Sequence, residues 1–164
     1  MTANRDFQIG MVTIGNVIQN FITLHYTRRV YNGRFVPNPS LGKGVTSNGK
    51  NPEDDRNKLV PVSSSGKDVD GKAQDQVTPL AARLFGTYTF AVGIIRLYGA
   101  HNITNPAFYQ LLMWSHVIAI CHFMSEIFVY KSVIVSGAPQ FMPLSQAFGG
   151  FLWLALQYNH YVEN

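Results

Sequence analysis

Three long stretches of the chain contain no charged side chain, and this feature restricts the possible folds more than any other. They are Phe7–Thr27 with 21 residues, Leu97–Ser125 with 29 and Ser132–Val162 with 31. A helix on the surface of a soluble protein carries charged residues on its outer face. Such residues make up about 25% of a soluble domain, against 13% of this chain. The sequence therefore predicts an integral membrane protein.

Apolar segments of membrane-spanning length occur four times. A spanning helix needs about 20 mostly apolar residues, and helices are favoured because lipid offers the backbone no hydrogen-bond partner. Prolines stand just before three of the segments, where a helix tolerates them: Pro79, Pro106 and Pro139. We predict an all-α fold in which residues 1–164 form one small bundle of four transmembrane helices, at about 7–24, 80–98, 108–130 and 141–158.

A polar stretch separates the first two predicted helices. Residues 32–78 contain only ten apolar residues out of 47 and are rich in glycine, proline, serine and asparagine. They show neither the period of a strand nor that of a helix. A segment with so little to bury is typical of disorder, so we predict a long disordered loop inserted in the membrane domain.

The basic residues predict how the chain lies in the membrane. Arg28, Arg29 and Arg34 follow the first predicted helix, and Lys131 follows the third. By the positive-inside rule, both of these connections face the cytosol. A net charge of +4 can also indicate a nucleic-acid partner. We expect none here, because the basic residues lie in a loop of mixed charge.

Ionisable side chains inside the predicted helices are costly in lipid and usually face protein or water. Antiparallel pairing of the second and third helices brings Arg83 and Glu126 to the same depth, so we predict that they pair directly or through His122. We interpret the pair as a lock that holds this hairpin together; a proton relay or a binding site is the functional alternative. The five residues concerned are Arg83, Arg96, His116, His122 and Glu126.

Small residues form a stripe along the second predicted helix, at spacings of three or four residues. Such a stripe lets helix backbones approach closely in lipid. It indicates either packing inside the bundle or docking of a partner's membrane helix, and the sequence leaves both open. The residues are Ala82, Gly86, Thr89, Gly93 and Ala100, with Arg96 on the same face.

Motifs that carry catalytic chemistry are missing from the sequence. There is no glycine-rich phosphate loop and no cysteine pair for zinc, since Cys121 is the single cysteine. His116 and His122 are six residues apart and lie on different helix faces, which makes a poor metal pair. We therefore predict no catalytic residue, cofactor or metal. Two alternatives stay open, a membrane enzyme acting on a sterol or lipid through Glu126, His122 and Arg83, and a small transporter.

Several segments are similar to the ergosterol biosynthetic protein 28 family. They are Leu80–Phe90 with Ile95–Ala100, and Ala119–Tyr130; Gly15–Phe21 and Thr27–Tyr31 resemble the family's first segment. The loop between the first two helices is longer than the family's usual connection. The positions that carry the resemblance are Arg83, Phe85, Gly86, Thr89, Arg96, His122, Phe123, Ser125 and Glu126.

The resemblance implies a multi-pass protein of the endoplasmic-reticulum membrane that is not itself an enzyme. It implies a scaffold in ergosterol synthesis whose partners, besides membrane lipid, are three enzymes of sterol C-4 demethylation: the sterol C-4 methyl oxidase, the decarboxylating 3β-hydroxysteroid dehydrogenase and the 3-keto sterol reductase. A tether of this kind acts by raising the effective concentration of successive enzymes around a shared intermediate.

Overall fold

The computed structural model describes residues 15–41, 55–62 and 73–162, most of which are helical. This confirms the helical character predicted from the sequence. In chain order the elements are α1, described over residues 15–22, α2 (His25–Val30), β1 (Phe35–Pro37), β2 (Leu59–Pro61), α3 (Pro79–His101), α4 (Pro106–Phe128) and α5 (Ala138–Val162).

Helices α3 and α4 are long and apolar enough to cross a membrane, the only described helices that meet both conditions. Each has 23 residues and is about 35 Å long, against a hydrocarbon core of about 30 Å. Each also starts with a proline behind a polar cap. The Thr78 hydroxyl accepts from the Ala81 amide at 3.1 Å, and the Asn105 side chain accepts from the Ala107 amide at 3.0 Å.

The tight turn between α3 and α4 makes them an antiparallel hairpin, as the sequence predicts. The Asn102 amide donates to the Tyr98 carbonyl at 3.1 Å, and the Asn105 amide donates to the Asn102 carbonyl at 3.0 Å. Near this turn Gly99 lies against Leu112, because a Cβ added at Gly99 would be 3.3 Å from the Leu112 side chain. The turn and this contact fix the register of the hairpin.

Helix α5 packs along α4 and closes the bundle. Its 25 residues include Pro143, and its glutamines make it less apolar than a typical spanning helix. At the hairpin end, buried Tyr109 donates its hydroxyl hydrogen to the Leu154 carbonyl at 2.7 Å. A second core at the opposite end joins Val30, Phe123 and Val133. The bundle is therefore held at both ends.

The first predicted helix differs from the structure where the structure describes it. We predicted one helix over 7–24, of which 7–14 lie outside the described residues. Helix α1 ends at residue 22, and the short helix α2 begins at His25. The buried Thr27 donates its hydroxyl hydrogen to Asn20 Oδ1 at 2.8 Å, which ties α2 to α1.

Part of the loop predicted to be disordered is a small antiparallel sheet. Phe35 pairs with Pro61 and Pro37 with Leu59, and Phe35 also forms a bridge with Gln74. The prediction is wrong for these residues because Phe35 and Val36 are buried and so anchor the sheet despite its polar neighbours. Residues 42–54 and 63–72 of the loop lie outside the described part of the chain.

The segments that follow α2 and α4 lie side by side. The Gly33 amide donates to the Ser132 carbonyl at 2.8 Å, and the Ile134 amide donates to Asn32 Oδ1 at 2.8 Å. Lys131 makes the turn out of α4 with a φ of 57°. These are the two connections that the positive-inside argument places on one side of a membrane.

Candidate functional site: a cavity between α2, α3 and α4

A cavity of about 450 Å³ lies where α2, α3 and α4 meet, at the end of the hairpin away from its turn. Tyr31 enters it from the residue after α2, and Ser132 from the segment after α4. Helix α3 supplies an apolar wall, and α4 supplies two ionisable groups. The lining residues are Thr27, Tyr31, Gln76, Val77, Ala81, Leu84, Phe85, Tyr88, Ile118, His122, Glu126 and Ser132.

Tyr31 and His122 form the central polar contact of the cavity. The Tyr31 hydroxyl lies 2.6 Å from His122 Nε2, and its ring meets the edge of the Phe85 ring at a centroid distance of 5.4 Å. Burial raises the pKa of Tyr31 far above its ordinary value, and the nearby Glu126 raises it further. Tyr31 is therefore a neutral hydroxyl at physiological pH. Its contacts with Phe85 on α3 and His122 on α4 connect the end of α2 to both helices of the hairpin.

Glu126 holds the segment that follows its own helix. Its carboxylate accepts a hydrogen bond from the Ser132 hydroxyl, and its backbone carbonyl accepts from the Ser132 amide at 2.9 Å. Ser125, beside it, donates its hydroxyl hydrogen to the His122 carbonyl one turn back at 2.7 Å. Glu126 and His122 share one face of α4, as predicted, and both line the cavity. Each makes a hydrogen bond outside α4, Glu126 with Ser132 and His122 with Tyr31.

The predicted pair between Arg83 and Glu126 is wrong. Both residues are described, and no ion pair joins Arg83 to Glu126, either directly or through His122, which binds Tyr31 instead. Arg83 is exposed on the outer face of α3. Ala81 and Phe85 line the cavity shared with α4, and Arg83, two positions from each, lies on the opposite side of the helix.

Tyr88 brings a buried hydroxyl to the face of α3 that lines the cavity. Its oxygen is buried and has no hydrogen-bond partner among the described residues. Tyr88 lines the cavity between α2, α3 and α4 and also a smaller one of about 80 Å³, which Thr89, Arg96 and Phe123 help to form. Sequence reasoning did not single out Tyr88; its only signal is its place between Gly86 and Thr89 in the segment that carries the family resemblance.

Arg96 and His116 are buried deeper in the bundle, with exposed fractions of 9% and 7%. The Nδ1 atom of His116 is buried and has no hydrogen-bond partner among the described residues. A Cβ added at Gly150 would lie 2.3 Å from His116 Cε1, so glycine is needed where α5 crosses this ring. The adjacent glycines Gly149 and Gly150 are the sequence signal of this close approach.

The small-residue stripe on α3 faces the interior at several positions. Ala82, Gly86 and Gly93 are buried. A Cβ added at Gly86 would lie 3.1 Å from the Cβ of Asn20 and 3.0 Å from the Phe21 ring, both on α1. Close packing inside the bundle therefore accounts for Gly86, while Thr89 and Ala100 are only partly covered.

The residues that carry the family resemblance fall into separate places. Phe85, His122 and Glu126 line the cavity between α2, α3 and α4. Thr89, Arg96 and Phe123 line the smaller cavity of about 80 Å³. Nothing in the described part of the chain groups three histidine, cysteine, aspartate or glutamate side chains as a metal would require.

Comparison with known proteins identifies the family. A family model described as "Erg28 like protein" matches residues 6–151. The chain belongs to this family. It is 43% identical to ergosterol biosynthetic protein 28 of Gibberella zeae over 155 residues, which is 94% of this chain and 86% of that relative. No solved structure matches the chain.

More distant Erg28-like relatives match shorter parts of the chain. Ergosterol biosynthetic protein 28 of Candida albicans is 37% identical over 59% of this chain and 70% of its own length. That of Saccharomyces cerevisiae is 33% identical over 52% of this chain and 57% of its own length. All three names place the proteins in ergosterol biosynthesis and name no reaction, and α3 and α4 give the chain the character of a membrane protein.

Proposed function

We propose that this protein is a non-catalytic, multi-pass scaffold of the endoplasmic-reticulum membrane. In this proposal it tethers the sterol C-4 methyl oxidase, the decarboxylating 3β-hydroxysteroid dehydrogenase and the 3-keto sterol reductase. Its membership of a family whose relatives are named for ergosterol biosynthesis supports the pathway. Holding successive enzymes together raises the local concentration of each around an apolar intermediate that would otherwise diffuse through the bilayer.

One observation carries the non-catalytic part of the proposal. The polar groups of the cavity are already used in contacts between elements, Tyr31 with His122 and Glu126 with Ser132. A general acid or base has to be available to its substrate, whereas these two groups fasten α4 to the segments after α2 and after α4. They act as structural contacts of a small bundle.

The arrangement of the connections supports a bundle of four membrane helices. The segments after α2 and after α4 are joined by hydrogen bonds from Gly33 to Ser132 and between Asn32 and Ile134. An even number of spans between the two segments is required if both stay on one side, and α3 and α4 supply it. Helices α1 and α5 are the remaining two spans of the proposal, with their far ends facing the lumen.

Deleting the protein in a sterol-producing fungus tests the scaffold. The three C-4 demethylation enzymes should remain present while C-4-methylated sterols accumulate and the enzymes no longer co-purify with one another. Re-expressing the chain should restore both the sterol profile and the co-purification. A normal sterol profile in the deletion strain, or enzymes that still co-purify without this chain, would refute the tethering role.

A membrane enzyme is the second candidate, because His122 and Glu126 do line a cavity. It predicts that the purified chain, without its partners, converts a C-4-methylated sterol. It also predicts that Glu126→Gln abolishes the conversion. The scaffold predicts no turnover by the purified chain, and that Glu126→Gln lowers stability by removing the charge that holds Ser132.

A further inference from the structure

We propose that the cavity between α2, α3 and α4 binds one neutral sterol, with the sterol's hydroxyl or ketone oxygen at Tyr88. The inference rests on the proposed function for the identity of the ligand, since a sterol-pathway scaffold sits in a membrane that contains these molecules. The site itself is argued from the size, lining, access and polar groups of the cavity.

The cavity has the size and lining of a small-molecule site. Its volume of about 450 Å³ lies within the range of roughly 300–1,000 Å³ that such sites occupy. Its walls are aliphatic side chains and aromatic rings, with polar groups confined to a few positions. The apolar part of the lining is Val77, Ala81, Leu84, Phe85 and Ile118, together with the rings of Tyr31 and Tyr88.

The cavity opens towards the surface that would face lipid. Leu84 on α3 and Ile118 on α4 both line it, yet 62% and 52% of these residues are exposed on the outside of the hairpin. Both helices are apolar enough to cross a membrane. A molecule dissolved in the bilayer can therefore enter sideways between them without passing through water.

The polar lining selects a neutral ligand. No lysine or arginine is among the described residues that line the cavity, and the one formally charged group there is the carboxylate of Glu126. A fatty acid or a phospholipid phosphate would bring a negative charge next to this carboxylate with no cation to balance it. A sterol brings a single hydroxyl or ketone and otherwise only hydrocarbon.

Tyr88 is the buried lining group left to meet the ligand's oxygen, since Gln76 is exposed and Thr27 donates to Asn20. Tyr31, His122, Glu126 and Ser132 already make hydrogen bonds to one another in pairs. The buried Tyr88 hydroxyl has no partner among the described residues, and leaving a buried hydroxyl unsatisfied is unfavourable. A phenol can donate to a ketone and can either donate to or accept from a hydroxyl, so Tyr88 suits both forms.

The test is equilibrium binding of radiolabelled ergosterol, and of a 3-keto sterol, to the purified full chain in lipid nanodiscs. We expect one saturable site per chain that oleate and phosphatidylcholine do not compete for. Tyr88→Phe keeps the ring and should weaken binding about fivefold, the effect of one lost neutral hydrogen bond. Ala81→Phe should abolish binding by filling the cavity. Tyr98→Phe is the matched control, because Tyr98 lies on the same helix, is 59% exposed and should leave binding unchanged.

A second measurement keeps the test independent of how the variants fold. A photoreactive ergosterol should label peptides of the unaltered chain that contain Leu84 on α3 and Ile118 on α4. Labelling confined to α5, equal binding by Tyr88→Phe and the unaltered chain, or displacement by oleate would overturn the inference. Co-purification of the three enzymes separates the two proposals. If the scaffold proposal is right, the enzymes should co-purify with Tyr88→Phe whatever the sterol-binding result. If they do not co-purify with the unaltered chain, the scaffold proposal alone is refuted.

Discussion

Replacing Gly33 by alanine should separate the two connections that hold one end of the bundle together. Gly33 is buried and lies against the backbone after α4. A Cβ at this position would be 2.4 Å from the Lys131 carbonyl oxygen and 2.8 Å from the Ser132 Cα. Both are backbone atoms, so neither can swing aside as the end of a side chain could, and one of the two segments must move.

The cost of Gly33→Ala follows from two contributions. Overpacking by one methyl group in a closely packed site costs about 1–3 kcal/mol. Moving the segments apart also weakens the Gly33–Ser132 hydrogen bond of 2.8 Å, which is worth about 1 kcal/mol. We expect the free energy of unfolding to fall by about 2–4 kcal/mol, measured by titrating a denaturing detergent into mixed micelles of the purified chain.

Gly137→Ala is the matched control for this prediction. Gly137 is exposed and lies in the connection between α4 and α5, which is the connection that Gly33 contacts. A Cβ at Gly137 would have its nearest contact at 3.8 Å, on Pro139. Its effect should stay within about 0.5 kcal/mol. If Gly33→Ala unfolds at the same detergent concentration as Gly137→Ala, the close approach of the two segments does not stabilise the protein, and the reasoning fails.

Two further substitutions probe contacts inside the bundle. Tyr31→Phe removes the hydroxyl that binds His122 at 2.6 Å and should cost about 1 kcal/mol in the same titration; an unchanged free energy would show that the contact does not hold α2 to α4. Gly150→Ala places a methyl group 2.3 Å from the buried His116 ring and should cost about 1–3 kcal/mol. Gly149→Ala, where a Cβ meets nothing within 4 Å, should be neutral, and equal melting temperatures for the two glycine variants would contradict the packing argument.

Helices α3 and α4 could be predicted from the sequence because lipid imposes a simple rule. A segment that spans a bilayer must be long, apolar and fully hydrogen-bonded along its own backbone, and uncharged runs reveal it. Thr78 with Pro79 and Asn105 with Pro106 mark where α3 and α4 begin. The antiparallel hairpin follows from the short turn between them.

Contacts that depend on rotation about a helix axis were harder to predict. The hairpin register places Arg83 and Glu126 at similar depth, but it does not say which way each side chain points. The small residues Ala82 and Gly86 pack inward. The stripe alone does not decide the pair, because Gly86 packs against α1 and not against α4. Ala81 and Phe85 line the cavity shared with α4, and a residue two positions from each of them lies on the opposite side of the helix.

Contacts made by irregular segments have no periodic signal in the sequence. Ser132 reaches Glu126 because Lys131, with a φ of 57°, turns the chain back over the end of α4. Likewise, Tyr31 reaches His122 because α2 stops one residue earlier, at Val30. Because the candidate site depends on these two irregular positions, the sequence pointed only to its helical residues Phe85, His122 and Glu126.

The same hydrogen bonds serve both proposed roles of the cavity. Tyr31 with His122 and Glu126 with Ser132 fasten neighbouring elements. Of the residues that line the cavity, Tyr88 is the one with a buried side-chain atom that has no described partner. Stability and sterol binding should therefore respond differently to two similar changes. Tyr31→Phe loosens the walls and should weaken both, whereas Tyr88→Phe removes no existing contact among the described residues and should weaken sterol binding alone.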